Sequence, residues 1–127
     1  MKITLGQLKD AEVALDKVLK AELDFPVAYS LRKFVRAIRQ QKAHYDEEQN
    51  LIVQKYGQKG VDGKLIYKEI GDGKITFDVT DLAAYQAELK QLNEVSVDLD
   101  CQPIDQKLLA GIKLTASDVS FLEPFLA

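Results

Sequence analysis

The sequence predicts an α+β fold that is mainly helical, with one long central helix and a small antiparallel sheet that includes a β-hairpin. Residues 26–56 contain no internal Gly or Pro after Pro26 itself, which favours one long helix. Two short apolar runs flank the glycine-containing stretch 70–73, which is typical of a hairpin. The chain has 127 residues, close to the usual size of one domain, so we interpret 1–127 as a single domain.

A first helix is predicted over residues 5–22, after a short strand at Lys2 and Ile3. Thr4 followed by Gln7 is the arrangement of a capping box, in which each residue bonds to the backbone of the other. Apolar residues then follow at helical spacing: Leu8, Ala11, Leu15, Val18 and Leu19.

The second helix is predicted over residues 26–56, with Pro26 in its first turn and Gly57 as its stop. At about 1.5 Å per residue it spans about 46 Å, whereas a compact chain of this length measures about 36 Å across. We therefore expect the helix to project from the domain or to pack against a second copy. The alternative is a kink or break near Gln40 and Gln41.

The next segments are a loop over residues 57–63 and a hairpin with strands at 65–67 and 74–77. A third helix, capped by Asp78 or Thr80, is predicted to end near residue 93. Its buried side is expected to carry Leu82, Tyr85, Leu89 and Leu92.

The last third of the chain begins with a strand. Its apolar residues Val95, Val97 and Leu99 alternate with polar residues, which indicates a half-buried strand that we expect to join the sheet of the hairpin. Pro103 opens a short helical turn through residue 110. Thr115 and Asp118 cap a final helix that carries Val119, Leu122 and Phe125.

The core is predicted to form around the first half of the long helix. We expect the apolar stripe of that helix to be buried against the first helix and against the third. The residues that meet there are Leu31, Phe34 and Ile38, with Leu8, Leu15 and Leu89 opposite them.

Composition excludes several classes of protein. No uninterrupted apolar run exceeds four residues, so no membrane-spanning helix is expected, and the start of the sequence has no apolar segment typical of a secretory signal. Cys101 is the only cysteine, so no internal disulfide is expected. These features favour a cytoplasmic protein.

The basic face of the long helix is the best functional candidate. Arg32, Arg36 and Arg39 lie at i, i+4 and i+7, with Lys33 and Lys42 close by. This face could bind nucleic-acid phosphates or an acidic protein. Residues 61–127 have a net charge of −6 while residues 1–60 have +3, which favours a solvated face, or ionic docking to the acidic second half of the chain, over nucleic acid.

No catalytic, cofactor-binding or metal-binding residue is predicted. Asp98, Asp100 and Asp105 have the ligand chemistry of a Mg²⁺ or Ca²⁺ site but not the spacing of a calcium loop, and a solvated edge explains them better. Cys101 and the single histidine, His44, are distant in sequence and form no recognised pair. A small enzyme is therefore the third hypothesis.

An oligomer interface is predicted where apolar residues return near the end of the long helix. A closed homodimer is the commonest solution for a self-complementary helical surface. The residues assigned to this interface are Tyr45, Leu51, Ile52 and Tyr56.

The order of these features, taken together, resembles a family of small proteins. A Lys-Ile-Thr start, a long charged helix ending at 54–57, a hairpin, the segment 85–89, the strand at 95–97 and the ending 114–118 follow one another as in small uncharacterised proteins of tailed bacteriophages and prophages. The resemblance implies a phage or prophage origin and a protein that acts by contact. Protein–protein interaction is the favoured hypothesis, and nucleic-acid binding is its alternative.

Overall fold

A computed structural model describes all residues, 1–127, and confirms a mainly helical α+β fold with one long helix and small antiparallel sheets. The chain forms two compact units: the first comprises Met1–Tyr45 and Asn93–Ala127, and the second Asp46–Leu92. No helix combines the length and the apolar character that crossing a bilayer requires.

The elements are β1 (Lys2–Thr4), α1 (Leu5–Asp10), α2 (Glu12–Lys20), α3 (Phe25–Tyr56), β2 (Tyr67–Gly71), β3 (Lys74–Phe77), α4 (Leu82–Glu94), β4 (Ser96–Asp98) and α5 (Ala116–Leu122), with short 3-10 helices at Gln106–Leu109 and Glu123–Phe125.

The predicted first helix is in fact two helices, so the single helix over 5–22 was wrong. The capping box at its start is present: Thr4 Oγ1 accepts from the Gln7 amide at 3.1 Å, and Gln7 Oε1 accepts from the Thr4 amide at 2.9 Å. The break falls at Ala11, which leaves helical geometry with ψ of 3° although it is completely buried. No glycine or proline marks this break in the sequence, so the helical pattern alone did not predict it.

Helix α3 runs without a break from Phe25 to Tyr56, so the predicted alternative of an interruption near Gln40 is absent. It begins one residue earlier than predicted and ends where predicted. The amide of Gly57 closes the last turn by donating to the Val53 carbonyl at 2.7 Å.

The strands form two separate two-stranded sheets rather than the one predicted. Strand β4 pairs with β1, with Ile3 opposite Val97, while β2 and β3 pair only with each other. Ile3 is 2% exposed, so pairing with β1 places β4 beside the core of the first unit. At the hairpin turn, Asp72 and Gly73 have φ of 50° and 72°, as a type I′ turn requires.

The core of the first unit includes the predicted stripe of α3. Leu31, Phe34 and Ile38 are at most 3% exposed, and Phe34 meets Phe125 edge to face with ring centroids 6.1 Å apart. Phe125, near the C-terminus, thus packs against α3 where we predicted Leu89. Leu89 itself is only half-buried and belongs to the second unit.

Helix α4 has no fully buried residue, contrary to the prediction of a buried face. Leu82 is 57% exposed. The helix is held instead by a small aromatic cluster, in which the Tyr85 ring lies 6.3 Å from Tyr56 and 6.2 Å from Phe77, edge to face in both cases. Aromatic side chains bury much of their area in such pairs without a large core.

The last two helical segments before the C-terminal 3-10 turn begin at side-chain caps that lie next to them in the sequence. Asp105, rather than Pro103, caps the short helix Gln106–Leu109 by accepting from the Lys107 amide at 3.0 Å. The predicted cap of α5 is confirmed: Asp118 donates its amide to Thr115 Oγ1 at 3.1 Å.

Candidate functional site

One exposed face of α3 in the first unit carries a row of aromatic and cationic side chains. Its members recur at steps of three or four residues, so they lie within an arc of about 80° and extend over about 21 Å. All of them are exposed. We call this row the α3 stripe; it consists of Phe25, Tyr29, Arg32, Arg36 and Arg39.

The aromatic end of the α3 stripe is ordered by stacking in spite of its exposure. Phe25 and Tyr29 are 77% and 53% exposed, yet their rings stack with centroids 5.8 Å apart. The Arg32 guanidinium lies 3.7 Å from the centre of the Tyr29 ring and donates to the Tyr29 carbonyl at 2.9 Å. A cation–π contact of this kind contributes about 0.5–1 kcal/mol at an exposed site, so these side chains are partly fixed before any partner arrives.

The cationic end of the α3 stripe lacks counterions. No carboxylate lies within 4.0 Å of the charged groups of Arg32, Arg36 or Arg39, and the same holds for Lys33 beside them. Arginine presents a planar fork of donors that fits carboxylate and phosphate groups bidentately. The stripe therefore presents donors whose geometry fits anionic groups.

Lys42, which we predicted as part of the same face, is already engaged. Its Nζ lies 3.5 Å from Glu12 Oε1, and Lys9 Nζ binds the other oxygen of Glu12 at 2.8 Å. The hydrogen bond from Lys9 and the nearby charge of Lys42 lower the pKa of Glu12. Lys42 thus serves the internal structure of the first unit and is not a free cation.

Beside the α3 stripe, two clefts lie between α3 and the segment 100–105. The larger has a volume of about 270 Å³ and is lined by Ser30, Leu31, Lys33, Phe34, Leu108 and residues 101–105. The smaller has about 100 Å³ and is lined by Lys33, Arg36, Ala37, Gln40 and Asp100. Because they share Lys33, we call the two clefts together the α3 groove.

Cys101 lines the larger cleft but is not activated. Burial raises the pKa of its thiol, the N-terminal amino group opposes that effect, and Asp100 adds to it. No hydrogen bond joins Cys101 to His44, which lies exposed on α3. A catalytic cysteine needs a lowered pKa and a neighbouring base, and Cys101 has neither.

The three aspartates considered as a cation site each have another role or position. Asp98 accepts from the amino group of Met1 at 3.2 Å, and Asp105 caps the short helix after it. Asp100 lines the smaller cleft of the α3 groove. No group of three or more His, Cys, Asp or Glu side chains is placed to hold a metal ion.

The residues assigned to an oligomer interface fall into different environments. Tyr45 is 4% exposed and donates from its hydroxyl to Asn93 Oδ1 at 2.9 Å, so it belongs to the core of the first unit, and its assignment to an interface was wrong. Tyr56 and Ile52 are half-buried, and the Tyr56 hydroxyl donates to Glu88 Oε1 at 3.0 Å. Leu51 is 62% exposed and remains available to a partner.

Sequence reasoning missed the aromatic end of the α3 stripe. The spacing of Phe25, Tyr29 and Arg32 at i, i+4 and i+7 was a usable signal, since residues so spaced meet on one helix face. The apolar stripe on the opposite side of the helix gives the stronger periodic signal, because its residues form the core.

The chain matches no family model, no curated protein and no solved structure. What this site can bind is therefore inferred from its own side chains. Unpaired guanidinium groups bind anions, exposed rings contribute apolar contact area, and the α3 groove has an apolar floor. This chemistry is that of binding.

Proposed function

We propose that this chain is a phage- or prophage-encoded cytoplasmic protein without catalytic activity that binds another protein, and that this partner presents an acidic surface to the α3 stripe. The observation that carries the proposal is the exposure of Arg32, Arg36 and Arg39 without counterions, directly beside the stacked pair Phe25 and Tyr29. The phage origin is supported by the order of sequence features alone.

The composition of the stripe supports a protein partner. Arginine and tyrosine are enriched among the residues that dominate binding energy at protein interfaces. Arg32 lies over Tyr29, so part of the cost of ordering these side chains is met before binding. A merely solvated face would account for the arginines alone, whereas the stacked rings of Phe25 and Tyr29 beside them add exposed apolar area to the same face.

Nucleic-acid binding is the second candidate, because guanidinium groups also fit phosphates. Proteins that bind single strands offer bare aromatic rings on which bases stack. Here the guanidinium of Arg32 covers the Tyr29 ring at 3.7 Å. This contact leaves less of the ring free for a base to stack on, which favours an acidic protein.

A pull-down from lysate of the bacterial host tests the proposal. The baits are the wild-type chain, the triple variant Arg32→Glu, Arg36→Glu, Arg39→Glu, and the control Lys113→Glu. The control reverses an exposed charge that is not on α3 and lines neither cleft of the α3 groove. We expect wild type and control to retain the same protein and the triple variant to lose it, with unchanged circular dichroism.

Two results would contradict the proposal. Equal capture by the triple variant would show that the stripe takes no part in binding. Retention of a single-stranded or duplex oligonucleotide at physiological salt, with a steep decline as salt rises, would replace the protein partner by nucleic acid.

A further inference from the structure

We infer that the α3 groove is the receptor for one large apolar side chain on a short acidic peptide segment of the partner, whose carboxylates bind Lys33 and Arg36. The inference rests on the proposed function and specifies how the partner is recognised. It makes the groove the part of the surface that gives selectivity, and the α3 stripe the part that gives charge attraction.

The larger cleft has the lining that an apolar anchor requires. Leu31, Phe34 and Ile104 are each 3% exposed and form part of its walls, together with Pro103 and Leu108. Its volume of about 270 Å³ is below the range of about 300–1,000 Å³ that is usual for small-molecule sites. A single side chain suits this cleft better than a cofactor, and anchors seated in such pockets dominate many interfaces.

The unpaired cations at and beside the groove favour a negatively charged ligand. Lys33 lines both clefts and Arg36 lines the smaller one, and neither forms an ion pair. Two carboxylates share the lining: Asp100, and Asp105, which is held by the Lys107 amide at 3.0 Å. The lining therefore holds two cations and two anions, and the unpaired Arg32 and Arg39 on the neighbouring α3 stripe raise the local count to four cations, which attracts an acidic segment.

The length of the groove matches a short segment of chain. Its lining on α3 extends from Ser30 to Gln40, ten residues that rise about 15 Å along the helix. An extended peptide covers about 3.3 Å per residue, so four or five residues fill the groove. One of these enters the larger cleft, and its neighbours lie against the cationic rim.

A yeast-displayed library of random dodecapeptides tests this inference. Selection uses the wild-type chain, with counter-selection on the double variant Lys33→Glu, Arg36→Glu. We expect enriched peptides to carry Asp or Glu around one Leu, Ile or Phe. Their affinity should fall about tenfold or more in the double variant, and it should be unchanged in Lys113→Glu.

Cys101 provides an independent readout of where the peptide lies. It lines the larger cleft and is the only cysteine of the chain, so its alkylation by iodoacetamide reports on that cleft alone. An enriched peptide should slow this reaction severalfold, whereas the same peptide with its apolar residue changed to Ala should not.

The outcomes separate this inference from the proposed function. Enrichment of basic or uncharged peptides, no enrichment at all, or acidic peptides that leave the alkylation rate unchanged would overturn the role of the groove. In each of these cases the proposed function would still stand if the pull-down captured a protein with the wild-type chain and lost it with the triple variant of the α3 stripe. Retention of an oligonucleotide by the wild-type chain would overturn both.

Discussion

Among single residues, Asp118 joins two distant parts of the sequence through one carboxylate. It is 6% exposed, and its Oδ2 accepts from Lys17 Nζ at 2.5 Å and from the Thr115 amide at 2.9 Å. The hydrogen bond from Lys17, followed by that from the Thr115 backbone, lowers the pKa of Asp118 below its ordinary value of 3.8. Its ionised form therefore stabilises the folded state.

The stability contributed by Asp118 should be present above the unfolded pKa and be lost as pH falls through the lower folded pKa. We expect Asp118→Asn to lower the melting temperature near neutral pH and to lose less further stability on acidification than the wild type. Thermal melts between neutral pH and strongly acidic pH measure this. The control is Asp46→Asn, at an exposed position without an ion pair; parallel curves for Asp118→Asn and wild type would refute the assignment.

Phe34 should be the most costly aromatic residue of α3 to truncate. It is 3% exposed and packs edge to face on Phe125, so Phe34→Ala leaves a cavity and should lower the free energy of unfolding by about 3–5 kcal/mol. Urea denaturation measures the change. Phe121→Ala, at a side chain that is 49% exposed, serves as the control and should cost far less. A Phe34→Ala protein as stable as that control would show that the buried face is wrongly assigned.

At the scale of elements, the end of α3 depends on a close approach at Gly57. A Cβ at this position would lie 2.4 Å from Leu65 Cδ2 and 2.8 Å from the Val53 carbonyl oxygen, both closer than atoms can pack. Since the carbonyl is backbone and cannot turn away, Gly57→Ala should destabilise the second unit by about 1–3 kcal/mol.

Hydrogen exchange of amides within Asp46–Leu92 measures the Gly57 effect where it arises. Gly111→Ala is the matched control, because a Cβ there meets nothing within 4 Å and its φ is not positive. Unchanged protection of the second unit in Gly57→Ala would contradict the prediction. Faster exchange of the amides around Gly111 in Gly111→Ala would show that an added methyl group destabilises the chain even without crowding.

Elements with local signals were predictable, and pairings between distant elements were not. The capping boxes at Thr4 and Thr115, the stop at Gly57 and the hairpin turn each depend on residues within a few positions. The pairing of Ile3 with Val97 depends on which strands the core brings together. Sequence alternation identifies a strand but carries no information about its partner.

In the candidate site, too, local features were predictable and contacts between distant residues were not. Helical periodicity placed Arg32, Arg36 and Arg39 on one face, and the structure agrees. The pairing of Lys42 with Glu12 and the approach of the segment 100–105 to α3 are contacts between residues far apart in sequence. The α3 groove therefore could not be predicted before the fold was known.

At the scale of the whole molecule, oligomeric state stays a prediction. Of the residues assigned to the interface, Leu51 is the one with a largely exposed side chain, at 62%. Burying a large apolar side chain contributes about 1.5–3 kcal/mol. We expect light scattering to give twice the chain mass of 14.2 kDa at micromolar concentration, and Leu51→Glu to shift the mass toward that of the monomer. A wild-type mass of one chain would exclude the dimer, and a dimer that persists in Leu51→Glu would place its interface elsewhere.

The division of the chain also favours one order of folding over the others. Residues of the second unit are contiguous in sequence. The first unit, in contrast, joins β1 to β4 across the second unit, and Lys17 to Asp118 over a separation of 101 residues. Closing a long loop costs entropy that rises by about 0.6 kcal/mol for each doubling of its length. If Asp46–Leu92 folds first, it shortens the loop that the ends of the chain must close. The least costly route thus runs from the middle of the sequence outward, and β1 meets β4 last.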